Sequence, residues 1–160
     1  MVALFALIMF GVFARQTAQG QQALVGQASV IDGDTIEIHG QRIRLWGIDA
    51  PESRQQCTTA AGTLEPAGRR AANRLDAIIG DHVVACADRG RDRYGRVIGS
   101  CEASGADISQ RMVQEGLAWA DVQYSSDYVA DETIARNDRE GVWSMSCEAR
   151  WDWRRQRRAR

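Results

Sequence analysis

Two short runs of alternating residues, joined at His39-Gly40-Gln41 and bracketed by acids, constrain this chain more than any other stretch. Ile36 and Ile38 on the first run, and Ile43 and Leu45 on the second, alternate with polar residues in the pattern of a half-buried β-hairpin. Asp32 and Asp34 precede the first run and Asp49 and Glu52 follow the second, so a fold at Gly40 carries these carboxylates towards one end. Period-two parity sets Asp34 with Ile36 and Ile38, and Asp49 with Ile43 and Leu45, so both lean inward. Pairing across Gly40 places Asp34 opposite Trp46 and leaves Asp49 about 10 Å further along, a gap that a bulge or bend near Gly47 would close. Strict alternation turns Arg44 away from the face that carries Asp34. Inward carboxylates repel one another unless a cation sits among them, and either a hard divalent ion or an arginine fork would serve. Oxygen-only ligands favour calcium or magnesium over zinc or copper. The alternative is ordinary surface chemistry, with Asp-Gly-Asp as a turn and Ala-Pro-Glu as a loop start.

Residues 2–14 are nearly all apolar, a run too short for the ~20 residues that a spanning helix needs. The run suits the apolar region of a secretory signal with small residues for cleavage nearby, although no Lys or Arg precedes it. An uncleaved anchor and an unstructured overhang are the alternatives. From Leu24 onward the length suits one domain with a single core.

Residues 24–30 read as a first strand, interrupted by Gly26. The stretch after Glu52, residues 53–63, is polar and irregular and contains Cys57. Pro66 opens a helix with Ala67, Ala71, Leu75, Ile78 and Ile79 on one face and Gly80 as its stop. Arg69, Arg70, Asn73 and Arg74 form its polar face, to contact phosphates or simply to be solvated. Residues 82–87 and 97–102 are two further strands joined by a loop, and residues 107–115 a second helix. Residues 117–120 form a short strand, and residues 127–140 a third helix with Ser125 or Ser126 as cap and Gly141 as terminator.

The cysteines are even in number and widely spaced, with no C-x-x-C and no histidine nearby, which argues against zinc. Cys86 and Cys101 fall at mirrored positions on two strands, a natural cross-strand pair that leaves Cys57 for Cys147. Buried free thiols are the alternative; the signal-like start favours disulfides and an oxidising compartment. Net charge is −1, but residues 150–160 hold six arginines against one aspartate, so the body carries −6. Steering of a polyanion must then come from the tail and from local arginines. Trp151, Trp153 and the tail arginines either grip nucleic acid by stacking and charge or form a solvated terminus. The chain has no lysine, which excludes Schiff-base chemistry and a Walker-type phosphate lysine. His39 and His82 are isolated, no G-x-S-x-G occurs, and no acid loop has EF-hand spacing, so Glu52 remains the candidate base.

D-G-D-T-I, R-L-W-G-I-D-A-P-E, D-R-Y-G-R at residues 92–96 and E-G-L-A at 115–118 resemble, in order and spacing, the thermonuclease family of staphylococcal-nuclease-like domains. The resemblance runs from about residue 25 to residue 143. By itself the pattern of elements supports a small β-rich domain with helices. The resemblance implies an α+β domain over residues 24–147, a five-stranded OB-fold β-barrel with about three α-helices. An N-terminal segment over residues 1–23 and an Arg/Trp-rich tail over residues 148–160 flank it.

The resemblance also implies a Ca²⁺-dependent nuclease. Asp34, Asp49 and the backbone carbonyl of Ala50 would hold Ca²⁺, Glu52 would be the base, Arg44 and Arg96 would bind phosphate, and Tyr124 would stack on a nucleotide. Ala50 stands where members often carry threonine, and Val122 at a neighbouring aromatic position. The expectation is a secreted or periplasmic monomer that hydrolyses DNA, with RNA as a second substrate, in single-stranded or locally unpaired form and without an obligate protein partner. The rival from another class is a non-catalytic nucleic-acid-binding module on the same barrel; a third reading is a barrel that binds another protein.

Overall fold

The hairpin turn sets the register of its neighbours. The computed structural model describes residues 23–149, 152, 153 and 155, so the apolar run over residues 2–14 and most of the arginine-rich tail, Trp151 included, lie outside the described residues. In chain order the elements are β1 (Leu24–Gly26), β2 (Ala28–Asp32), β3 (Thr35–Ile38), β4 (Gln41–Leu45), β5 (Ile48–Asp49), β6 (Cys57–Thr59), β7 (Leu64–Glu65) and α1 (Ala67–Ile79). They continue with β8 (Val84–Arg91), β9 (Val97–Ala103), β10 (Ala106–Asp107), α2 (Ile108–Gln114), β11 (Trp119–Ala120), α3 (Val129–Asn137) and β12 (Met145–Ser146).

The main sheet runs β1-β8-β9-β4-β3-β2. Its two ends, β1 and β2, are consecutive halves of one strand separated only by Gln27. One bent strand therefore pairs with β8 at one end and with β3 at the other, which gives the expected five-stranded oligonucleotide-binding arrangement. The β4–β9 pair is parallel and its neighbours are antiparallel. Helix α1 falls between the third and fourth barrel strands, and α2 and α3 follow the fifth.

The turn differs by one residue from the expected pairing. His39 and Gly40 both have left-handed φ, 51° and 76°, as in the two-residue turns whose twist matches the flanking strands. Ile36 therefore faces Ile43, and Asp34 accepts from Leu45 N at 2.9 Å rather than lying opposite Trp46. This register buries Ile36, Ile38, Ile43 and Leu45 together; a one-residue slip would turn one strand's pair towards solvent. Leu75 and Ile79 of α1, and Ile108, Met112 and Val113 of α2, join the same core.

Two further expectations shift. Residues 57–59, expected to be irregular, form β6 between β7 and β12. The third helix runs Val129–Asn137 with Tyr128 at its N-terminal cap and Asp138 at its C-terminal cap, so neither Ser125 nor Ser126 caps it and Gly141, which opens a separate short turn, does not end it. The reason is tertiary: the Trp46 indole takes Asp127 and the Tyr128 hydroxyl donates to Asp107, drawing residues 127–128 out of the helix and onto the barrel.

Cys86 and Cys101 are paired residues of β8 and β9 and form a disulfide, and Cys57 is bonded to Cys147. Replacing Cys86 and Cys101 by alanine opens a loop of 15 residues and is expected to cost roughly 3 kcal/mol, read as a lower urea midpoint at unchanged m-value.

Candidate active site

The Asp-Gly-Asp turn lies between β2 and β3, where the pairing register shifts between Val30 and Asp32. Asp32 Oδ1 accepts from the Asp34 backbone N–H at 3.1 Å and fixes the turn. Asp34 is fully buried. Its Oδ1 accepts from Thr35 Oγ1 at 3.0 Å and from Arg44 Nη1 at 2.8 Å, and its Oδ2 accepts from Ala50 N at 3.1 Å.

Arg44 stands opposite Thr35 on β4, so alternation alone turns it away from Asp34. The turn at Gly33–Asp34 interrupts that alternation, and the long arginine side chain reaches the carboxylate. After β4 the chain bends at Trp46–Gly47, where Gly47 has φ 70°, and returns as β5 to pair with β11. This bend brings Asp49 back. Arg44 Nη2 donates to Asp49 Oδ1 at 2.6 Å and to the Ile48 carbonyl at 3.2 Å. One guanidinium thus joins both carboxylates, the arginine-fork solution to their repulsion.

Arg96 closes the β8–β9 hairpin. Asp92 Oδ1 accepts from the N–H groups of Tyr94 and Arg96, both at 2.9 Å, and its Oδ2 accepts from Arg96 Nε at 2.7 Å. Burial alone would push the Asp92 carboxyl up; the Arg96 guanidinium and these backbone donors outweigh it and hold it below the usual carboxylate range. The Arg96 guanidinium thus meets Asp92 through Nε and lies 5.8 Å from the centroid of the Tyr94 ring.

Arg44, Asp49, Arg96 and Tyr124 line one cleft of about 330 Å³. Asp34 lies buried beside it, reached through Arg44, and Ala50 is buried with its N–H on Asp34. Glu52 follows on a half-buried turn and is not among the cleft-lining residues. Val122 and Tyr124 are both largely exposed, and only Tyr124 belongs to the cleft. Of the tail, Asp152, Trp153 and Arg155 are described, with Arg155 paired to Asp152.

Sequence reasoning missed part of the cleft wall. Trp46, Arg91, Arg93, Tyr94, Asp121 and Gln123 also line it. The D-R-Y-G-R block carried the signal for Tyr94, which the Arg93 guanidinium approaches at 4.9 Å from the ring centroid. Trp46 Nε1 donates to Asp127 Oδ2 at 2.9 Å; the indole first, then Ser125, hold the Asp127 carboxyl below its usual range.

A larger groove, about 580 Å³, runs along the polar face of α1 past Arg69, Arg70 and Arg74. Arg74 there is engaged twice by Glu115, at 2.5 and 2.8 Å, and the groove mixes arginines with glutamates. Converging charge, not volume, marks the smaller cleft as the candidate site. Among the described residues no three His, Cys, Asp or Glu side chains form a ready metal cage. The two carboxylates at the fork are oxygen donors, the type a hard cation takes, and in this structure Asp34 accepts from Arg44, Thr35 Oγ1 and the Ala50 N–H while Asp49 accepts from Arg44.

A sheet whose two ends are the halves of one bent first strand, with a charged cleft where β4, β5 and the β8–β9 hairpin meet, has the oligonucleotide-binding type of α+β fold. The family model described as staphylococcal nuclease homologue matches residues 42–145, and the chain belongs to that family. Similar proteins include the succinoglycan biosynthesis protein ExoI of Rhizobium meliloti (strain 1021), 37% identical over 134 residues that cover 82% of this chain and 70% of that protein. An uncharacterized endonuclease of Escherichia coli is 35% identical over 133 residues, covering 78% of this chain and 80% of its own length. A micrococcal nuclease of Shigella flexneri is 35% identical over 144 residues, covering 79% and 77%.

Two outcomes follow from the geometry. Arg44→Met leaves Asp34 and Asp49 without their shared guanidinium and is expected to lower unfolding free energy by about 3 kcal/mol, measured by urea denaturation without divalent ions. Asp92 stabilises the fold while ionised, because its folded pKa lies below its unfolded value near ~3.9. That contribution is complete above the unfolded value and is lost as pH falls through the lowered folded one. An NMR titration of the Asp92 carboxyl is expected to give a midpoint below the free aspartate value.

Proposed function

We propose that this protein is a Ca²⁺-dependent phosphodiesterase that cleaves DNA, and RNA as a second substrate, in single-stranded or locally unpaired segments. The observation that carries the reading is the Arg44 fork between Asp34 and Asp49, in a cleft it shares with Arg96 and Tyr124. Membership of the staphylococcal nuclease homologue family and relatives named endonuclease and micrococcal nuclease support it.

In this reading Asp34, Asp49 and the Ala50 carbonyl would hold Ca²⁺, which would supply positive charge beside a phosphoryl oxygen. Arg44 and Arg96 bind non-bridging oxygens with donors that never lose their protons. Glu52 accepts the proton of the attacking water. Tyr124, exposed on the cleft, offers a face on which a nucleobase stacks. The two disulfides support a secreted or periplasmic setting, where such bonds persist. The domain spans residues 24–147 and acts as a monomer.

Cleavage of single- and double-stranded DNA by the oxidised protein from Leu24 onward tests the reading. Activity is expected with Ca²⁺ and not with chelator, and Glu52→Gln is expected to lower kcat by roughly 10²–10⁴-fold. Oligonucleotide binding without cleavage would instead identify a non-catalytic binding module.

A further inference from the structure

Glu52 sits on the short connection between β5 and β6, and one neighbour governs how that connection is held. Ser53, Arg54 and Gln56 are exposed, whereas Gln55 between them is 1% exposed. A buried amide is costly unless its donors and acceptors find partners. Gln55 satisfies that condition with main-chain groups. Its Oε1 accepts from the Glu52 backbone N–H at 3.1 Å, and its own N–H donates to the Glu52 carbonyl at 2.7 Å. Its Nε2 donates to the Glu148 carbonyl at 2.6 Å, and its carbonyl accepts from Gly68 N–H at 3.3 Å. The one residue turned inward here thus holds both main-chain groups of Glu52, its N–H and its carbonyl, and joins them to a segment 93 residues away.

Gly68 closes the other side. It lies in the first turn of α1 so near the Glu52 carbonyl that a Cβ would collide with that group and with the Cα of Ser53. The far anchor is equally built. Cys57 is bonded to Cys147, and β6 pairs with β12 through Thr58–Ser146 and Thr59–Met145. The Glu148 carbonyl that receives Gln55 is the residue after that bridge.

We propose that Gln55 is a positioning residue for Glu52, and that the segment around Cys147 and Glu148, held by the Cys57–Cys147 bridge, is part of the frame of the active site. The inference rests on Glu52 being the base. Its consequence is a redox dependence: the proton acceptor keeps its place only while a covalent bridge 90 residues long in sequence stays closed. The enzyme therefore works fully in an oxidising compartment and loses turnover, rather than substrate affinity, when reduced.

The test compares the oxidised full chain with Gln55→Met, which matches the side chain in size but offers no amide, and with Cys57→Ala/Cys147→Ala. Steady-state kinetics on a single-stranded oligonucleotide with Ca²⁺ are read beside hydrogen exchange of the Glu52 amide. Misplacing a reacting group by about 1 Å costs on the order of 10²-fold in rate, so both variants are expected to lose about 10–10²-fold in kcat with KM within about twofold. Exchange of the Glu52 N–H is expected to accelerate while that of Ile36 and Ile43 in the barrel does not. Unchanged kcat in Gln55→Met, or a change confined to KM, would reduce Gln55 to a loop staple and overturn the proposal. If Gln55→Met does not fold, the cysteine variant decides by the same criterion. An inactive wild type, by contrast, would sink the nuclease reading itself.

Discussion

Two ionised acids, one on a turn and one on a neighbouring strand, lie buried side by side when something positive holds them, and in this protein that is Arg44. Its guanidinium meets Asp34 at 2.8 Å and Asp49 at 2.6 Å, with the rest of the side chain packed into the wall of the cleft. A buried pair of this kind repays its desolvation only when its remaining lone pairs are also satisfied. Here they are served by Thr35 Oγ1 and by the Ala50 N–H, both on Asp34. The network fixes the ends of β3, β4 and β5 relative to one another, and the barrel's open end takes its shape from it.

The rest of the cleft is brought to this fork by the second half of the chain. The Trp46–Gly47 bend is tied down by Asp121 N–H on the Gly47 carbonyl at 2.8 Å, and by Asp127 on the Trp46 indole. The same segment delivers Gln123 and Tyr124 to the cleft. On the opposite side the β8–β9 hairpin supplies Arg91, Arg93 and Arg96, its turn locked by Asp92. An otherwise acidic body thus gathers guanidinium groups at one place, beside the rings of Tyr94, Trp46 and Tyr124.

Much of this was legible because its signals are local. The alternation of Ile36, Ile38, Ile43 and Leu45 specified a hairpin face, Gly80 specified a helix end, and the mirrored Cys86 and Cys101 specified a pair across two strands. The register was misplaced by one residue, because period-two patterning does not reveal which two residues occupy a turn; His39 and Gly40 do so by adopting left-handed φ together. The third helix was drawn to start too early for a related reason. Asp127 and Tyr128 look like helix residues in sequence, yet they are spent on Trp46 and Asp107, partners 81 and 21 positions away.

The sequence by itself determined which charges the chain possesses and that a hairpin would carry Asp34 and Asp49 towards one end. It also determined that all fixed positive charge is guanidinium and that the cysteines suit an oxidising environment. Alternation could not say that Arg44 would reach Asp34, since on an ideal strand it points the other way. Only the tertiary structure decided that, through the break at Gly33–Asp34 and the bend at Trp46–Gly47. It alone also gave Gln55 its partners, because a buried amide declares its purpose only when the carbonyl of Glu148 arrives from the far end of the chain. Local periodicity records which face a residue prefers; long-range hydrogen bonds and charge pairs decide what it finally touches.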